Sequence, residues 1–223
     1  MNFTYPDLST VSHNGRWYET PTGIYYPSIT TILGHTEPEE KRLSLQRWKD
    51  SLGEEEATRV SKAATDRGTN VHLLAERFFK GEDVEAPIDG RPVPPADLAS
   101  FKALKTKLKA VNEVWGQECA LYSEELEVAG RCDFVGVHRS IPSIIDFKTA
   151  SRVKGHDDIH DYKLQLTFYA QAHNEMFGTS IERGVILMVA DTGFPLEFVV
   201  DLREFTAPLR ERVKSFWALT LNT

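Results

Sequence analysis

Ile144-Ile145-Asp146-Phe147-Lys148-Thr149 is the stretch that decides how this chain reads. Two β-branched residues lead into an acid and a base spaced two apart. Alternate residues of a strand share a face, so Asp146 and Lys148 emerge on the same side. Upstream, Gly130-Arg131-Cys132-Asp133 sets another acid in what reads as the neighbouring strand. Two carboxylates converging on one point repel each other unless a cation lies between them, and a hard ion such as Mg²⁺ suits oxygen ligands. Such an ion polarises a phosphoryl oxygen and turns bound water into a nucleophile, and a nearby lysine steadies the developing charge. A bare Asp-x-Lys is a weak signal, and against it stands a strand-end ion pair. The chain holds a second copy, Asp161-Tyr162-Lys163. That copy follows the polar run His156-Asp157-Asp158-Ile159-His160 instead of an apolar strand, so it reads as a helix start. His156 and His160 have zinc-pair spacing but no third ligand nearby, and a polar loop accounts for them better.

Outward from this centre, residues 118–127, 131–138 and 143–149 read as consecutive strands of a meander. A helix from Tyr162 to Met176 follows, then strands Gly184–Ala190 and Leu196–Val200. A closing helix from about Pro208 carries Leu209, Val213, Phe216 and Leu219 on one face. On the N-terminal side, Arg16–Glu19 and Ile24–Tyr26 flank a Pro21-Thr22-Gly23 turn as a hairpin. Ser28 is placed to cap a short helix through Leu33. The pattern is helical from Pro38 to about Lys80, interrupted at Gly68 and stopped by Gly81. After a Pro-rich link over 87–95, Leu98, Phe101, Leu104, Leu108, Val111 and Trp115 predict one helix that Gly116 ends. The order predicts an α/β (α+β) domain around a central mixed sheet flanked by helices. We divide it into an N-terminal hairpin and short helix (1–37), a helical lobe (38–115) and a sheet core (116–223).

The 223 residues suffice for one domain with a substantial core. No apolar run is long enough to cross a bilayer, so no membrane partner is expected. Met1-Asn2-Phe3-Thr4-Tyr5-Pro6-Asp7 has neither signal-peptide nor transit-peptide character. This points to an intracellular, cytoplasmic protein, of bacterial or phage source. Two cysteines, Cys119 and Cys132, form no disulfide framework. The net charge of −7 opposes a broad nucleic-acid-binding surface. An acidic metal site adds to that total, however. Locally basic stretches occur at Lys41, Arg42, Arg47 and Lys49, and at Lys102, Lys105, Lys107 and Lys109; each alone reads as a solvated helix face.

Further pairs sharpen the picture. His72 and Glu76, four apart after Gly68, share a helical face, as do Gln165 and Tyr169. In isolation each pair is ordinary. Taken in order, G-x-x-x-H, G-x-x-D, D-x-K-T and Q-x-x-x-Y resemble the RecB-type branch of the PD-(D/E)xK nucleases. The opening Pro27-Ser28-Ile29-Thr30-Thr31-Ile32-Leu33 and the later Arg47-Trp48-Lys49 resemble a narrower group, the mitochondrial genome maintenance exonucleases and related phage exonucleases. The match spans roughly residues 24–176.

That resemblance implies His72, Asp133, Asp146 and the carbonyl of Phe147 as ligands of one or two Mg²⁺ or Mn²⁺ ions. It implies Lys148 as the catalytic lysine and Glu76 as a water-mediated partner of the metal. Gln165 and Tyr169 would position the scissile strand, and Ser28, Thr30, Arg47 and Lys49 would contact or line the path of the nucleic acid. Trp48 would pack in the lobe or stack on a base. An iron–sulfur cluster needs four cysteines, so none is expected. The implied activity is exonucleolytic cleavage of single-stranded DNA with free ends, alongside replication or recombination proteins. A structure-specific endonuclease, or a nuclease fold kept as a non-catalytic DNA-binding module, would use the same residues.

Overall fold

The computed structural model describes residues 2–220; Met1 and 221–223, the ends of the span assigned to one domain, lie outside the described residues. Strands β4 (Val111–Ser123), β5 (Val128–His138), β6 (Ile141–Ala150), β7 (Arg183–Ala190) and β8 (Pro195–Asp201) form one sheet in sequential order. β4, β5 and β6 are the expected antiparallel meander. Helix α5 (His160–Phe177) then crosses over and makes β7 parallel to β6, and β8 returns antiparallel. The sheet is therefore mixed, as its sequence pattern implies.

β6 is buried on both faces, and its alternation divides the core. Ile144 packs with Leu164, Leu166 and Phe168 of α5. Ile145 and Phe147 pack with Val71 and Leu74 of α3 (Glu54–Lys80) and Phe101 and Leu104 of α4 (Pro95–Leu108). The terminal helix α6 (Thr206–Thr220) closes the α5 side through Leu209, Val213 and Phe216. The expected hairpin is present as β2 (Arg16–Glu19) and β3 (Tyr25–Pro27). It is joined by β1 (Thr10–Ser12), three exposed residues without a periodic signal. Helix α1 (Ile29–His35) follows, with Ser28 Oγ accepting from Thr31 N at 3.0 Å.

Two expectations are corrected. The helical lobe breaks at Gly53, not Gly68: α2 (Glu39–Leu52) ends there with φ at +81°, a backbone state that suits glycine. Gly68 stays inside α3, where it packs near Thr149 of β6. The helix expected through Trp115 stops at Leu108, and β4 starts at Val111, moving the edge of the sheet core back from 116. Val111, Val114 and Trp115 have the β-branched and aromatic character of a strand. Register shifts at Val111/Glu113 and Val114/Gly116 gave those residues a helix-like spacing.

Helix α2 differs from the rest because none of its residues is buried. Its first turn is fastened by Lys41, which pairs with Glu37 at 3.0 Å and Asp161 at 2.8 Å. Arg212 of α6 also reaches Asp161, and bonds to Thr36 Oγ1 and the Leu33 carbonyl. Among the described residues, no helix is long and apolar enough to cross a membrane.

Candidate active site

The pairing of β5 with β6 runs from His138↔Ile141 to Phe134↔Ile145. One step further the ladder opens. Asp133 Oδ2 accepts the Phe147 N–H at 3.0 Å, so a side chain stands in for a strand carbonyl. Asp146, the next residue of β6, is 2% exposed. Its Oδ1 accepts from Lys148 Nζ at 2.6 Å, while its Oδ2 is buried without a partner. Burial pushes the Asp146 carboxyl up to about 6, against the opposing charge of Lys148. Burial lowers the Lys148 ammonium, but Asp146 and Asp133 outweigh it and hold the group above its ordinary range.

His72 reaches this point from α3. Its Nε2 lies 2.6 Å from the Phe147 carbonyl. A carbonyl only accepts, so the proton sits on Nε2. In the neutral ring Nδ1 then turns its lone pair toward Asp133 Oδ2, 3.5 Å away. A lone pair facing a carboxylate is an arrangement that a shared cation relieves.

A residue that the sequence reading missed completes the group. Gln117↔Phe134 and Cys119↔Cys132 bracket Glu118, which places it across the sheet from Asp133. Like charges directly opposite on antiparallel strands destabilise a sheet. Glu118 also takes φ +49°, at a cost on the order of 1 kcal/mol for a non-glycine residue. Burial, then Asp133, raises its carboxyl. His72, Glu118 and Asp133 each offer a ligand atom within 4.8 Å of the others. With the orphaned oxygen of Asp146, this donor set fits a hard divalent cation. The only sequence signal for Glu118 would have been its register opposite Asp133, which is counted from the turn between Ser123 and Val128, and the sequence pattern ran the first strand on through 127.

The remaining expected residues divide. Gln165 Nε2 donates to Tyr169 Oη at 3.1 Å on the α5 face that meets β5. Gly130 lies against that tyrosine: a Cβ there would come within 2.9 Å of Tyr169 Cε1 and 3.2 Å of Phe168 Cε1. Glu76, one turn beyond His72, accepts from Lys80 Nζ at 2.6 Å. Ser28 is buried and its hydroxyl is engaged with Thr30, Thr31 and the cap of α1, so it offers nothing to solvent. Thr30 is exposed beside it. Trp48 borders a cavity of about 920 Å³ between α2, α3 and the end of β6, with Lys41, Arg67, Thr149 and Ser151. Lys49 borders a different cavity, on the other flank of α2, and Arg47 is exposed. The acids, His72, Lys148 and the Phe147 carbonyl are thus brought together, whereas Ser28, Arg47 and Lys49 are not part of that group. The two cysteines face each other across β4 and β5, both free and buried.

A splayed strand pair with acids on both strands and a lysine two residues on defines a class of phosphodiester-cleaving enzymes. The sequence model of the PD-(D/E)XK nuclease superfamily matches residues 42–194, and the chain belongs to that superfamily. It is 27% identical over 177 residues to mitochondrial genome maintenance exonuclease 1 of Xenopus tropicalis, covering 76% of this chain and 50% of that protein. The Mus musculus protein of the same name is 27% identical over 180 residues, covering 76% and 51%. The chain therefore spans about half the length of the curated relatives it matches. A solved structure of a candidate exonuclease from Eubacterium rectale overlaps with a TM-score of 0.41 at 13% identity, covering 67% of this chain and 68% of that one.

Proposed function

We propose that this protein is a divalent-metal-dependent DNA exonuclease that hydrolyses phosphodiester bonds of single strands with free ends. The observation that carries the reading is the meeting of His72, Glu118 and Asp133, where Asp133 bonds the backbone of Phe147 next to the buried Asp146–Lys148 pair. His72, Asp133, Asp146 and the Phe147 carbonyl would hold Mg²⁺ or Mn²⁺, with Glu118 added to the set and Glu76 acting through water. When bound, such an ion polarises a phosphoryl oxygen and lowers the pKa of its water.

The rest falls to the chain's own groups. Lys148, held by Asp146, presents its ammonium to the scissile phosphate and stabilises charge as it develops there. Gln165, held in place by the buried Tyr169 on α5, positions the strand. Thr30 meets the nucleic-acid backbone, since the Ser28 hydroxyl is spent on capping. Arg47 and Lys49 supply long-range attraction, and Trp48 either packs the lobe or stacks on a base.

Free ends and single strands are favoured by the cavity beneath α2, which suits a few nucleotides of one strand better than a duplex. The names of the Xenopus and mouse relatives agree with exonuclease activity. The test compares wild type with Lys148→Ala, with Mg²⁺, Mn²⁺ or EDTA, on end-labelled linear single strands, linear duplex and closed single-stranded circles. Metal-dependent loss of the linear single strands alone, abolished by the substitution, is expected. Cutting of circles would move the assignment to an endonuclease. Inactivity with both metals would leave a DNA-binding module.

A further inference from the structure

Near Lys148 lies an ammonium that makes no ion pair among the described residues. Lys154, half-buried in the loop between β6 and α5, donates from Nζ to the Tyr162 hydroxyl at 3.0 Å. The same Nζ stands 4.8 Å from the centre of the Tyr162 ring. Among the described residues, no carboxylate lies within 4.0 Å of it. The nearby acid, Asp158, is already engaged by Arg152 and by the Gly155 N–H. Sheltering an unpaired cation from water is costly unless something anionic joins it.

Tyr162 has a second cationic neighbour. Lys148 Nζ stands 5.1 Å from the centre of its ring. The two ammonium groups therefore share one aromatic ring, and among the described residues only Lys148 has a carboxylate within ion-pair distance. Tyr162 also precedes Gln165 by three residues and Tyr169 by seven, so all three lie on one face of α5. The row runs outward from the splayed strands, and Lys154 stands at its outer end. An ammonium has three N–H donors, and the phenol takes one. The remaining donors suit a phosphate oxygen, and a nucleic-acid strand carries phosphates in succession.

We propose that Lys154, oriented by the Tyr162 hydroxyl, binds a non-scissile phosphate of the substrate strand, next to the phosphate that Lys148 serves. This rests on the nuclease reading above. Lys154 is a substrate-binding residue and Tyr162 a positioning residue. Neither takes part in bond cleavage.

The test measures binding of a fluorescent single-stranded oligonucleotide in EDTA, by anisotropy over a range of KCl concentrations. Steady-state cleavage with Mg²⁺ follows. Lys154→Ala and Lys154→Gln should each bind about tenfold more weakly, as loss of one charge-assisted contact implies. The slope of log affinity against log salt should shrink by about 0.7, the share of one phosphate on a single strand. KM should rise about tenfold with kcat within about twofold. Lys154→Arg should restore most of the affinity, and Tyr162→Phe should fall between wild type and Lys154→Ala.

A lysine with only a structural role would lower Tm and leave the salt slope unchanged. A wild-type slope and KM in both Lys154→Ala and Lys154→Gln would overturn the proposal. Lys148→Ala, measured alongside, keeps the two readings separate. If it still cleaves, the catalytic assignment fails while the salt slope continues to report on Lys154. If wild type binds no oligonucleotide, both fail.

Discussion

β6 and α2 lie at opposite extremes of this molecule. Ile144 and Ile145 of β6 are fully buried and Asp146 nearly so, whereas α2 has no buried residue and leaves Leu43 and Leu45 about half exposed, at 50% and 46%. The strand carries the acid and the lysine on a rigid support. The helix forms one wall of a cavity and is fastened mainly by ion pairs at its first turn. The difference assigns separate tasks. Chemistry should depend on the packing that holds β5, β6 and α3 in register, and access should depend on α2, which can shift without disturbing the core.

The sharpest way to break this division is at Lys148. Lys148→Ala should lower cleavage of single-stranded DNA by about a thousandfold or more. Excess EDTA should do the same to wild type, with circular dichroism confirming that both remain folded. Cleavage within about tenfold of wild type would remove β6 from the chemistry. A stability contrast comes next. Leu74→Ala, at a fully buried position packed on Phe147, should cost about 3 kcal/mol in urea unfolding. Leu45→Ala on α2 should cost less than about 0.5 kcal/mol. Equal losses would mean that α2 is part of the cooperative core.

His173 offers a probe of the α5 side that involves neither region's chemistry. It is fully buried among Phe3, Tyr5, Trp115 and Phe177, with Nδ1 bonded to Thr179 and Nε2 to Tyr5. Burial lowers its pKa from 6.5 to about 4. The native ring therefore stays neutral at pH values where the unfolded chain takes up a proton. Its share of stability is present above about pH 6.5, is lost as pH falls toward 4, and totals at most about 3 kcal/mol. Denaturant midpoints measured across that window should fall, and in His173→Asn the fall should be shallower. An unchanged pH slope in the variant would contradict the assignment.

A small stability effect is also expected at the tether of α2. Lys41→Ala should change stability by less than about 1 kcal/mol, as for other exposed ion pairs. It should nevertheless raise KM for linear single strands several-fold, because α2 would lose part of its anchor. Unchanged KM would separate α2 from substrate access.

How much of this was legible depended on the range of each signal. Asp146 and Lys148 stood out because the two-residue period of a strand is local. His72 and Glu76 shared a helical face for the same reason. Glu118 could not be read, since its relation to Asp133 is a cross-strand register counted from the turn between Ser123 and Val128, and no local period marks it. Irregularities further along β4, between Val111 and Gly116, made Val111 and Trp115 look helical. Gly53 and Gly68 are both plausible breaks on paper. Only the three-dimensional path of α3 past Thr149 shows why Gly68 stays helical and Gly53 turns. The cap at Ser28 was readable from sequence. That capping removes its hydroxyl from solvent became visible only once Thr30 and Thr31 were seen around it.

The most direct measurement is a calorimetric titration of Mn²⁺ into wild type, Glu118→Gln and Asp133→Asn, without nucleic acid. Saturable binding by wild type, weakened in Glu118→Gln and lost in Asp133→Asn with the fold intact, is the expected result. Equal binding by all three, or none by wild type, would contradict a cation site at the opening between β5 and β6.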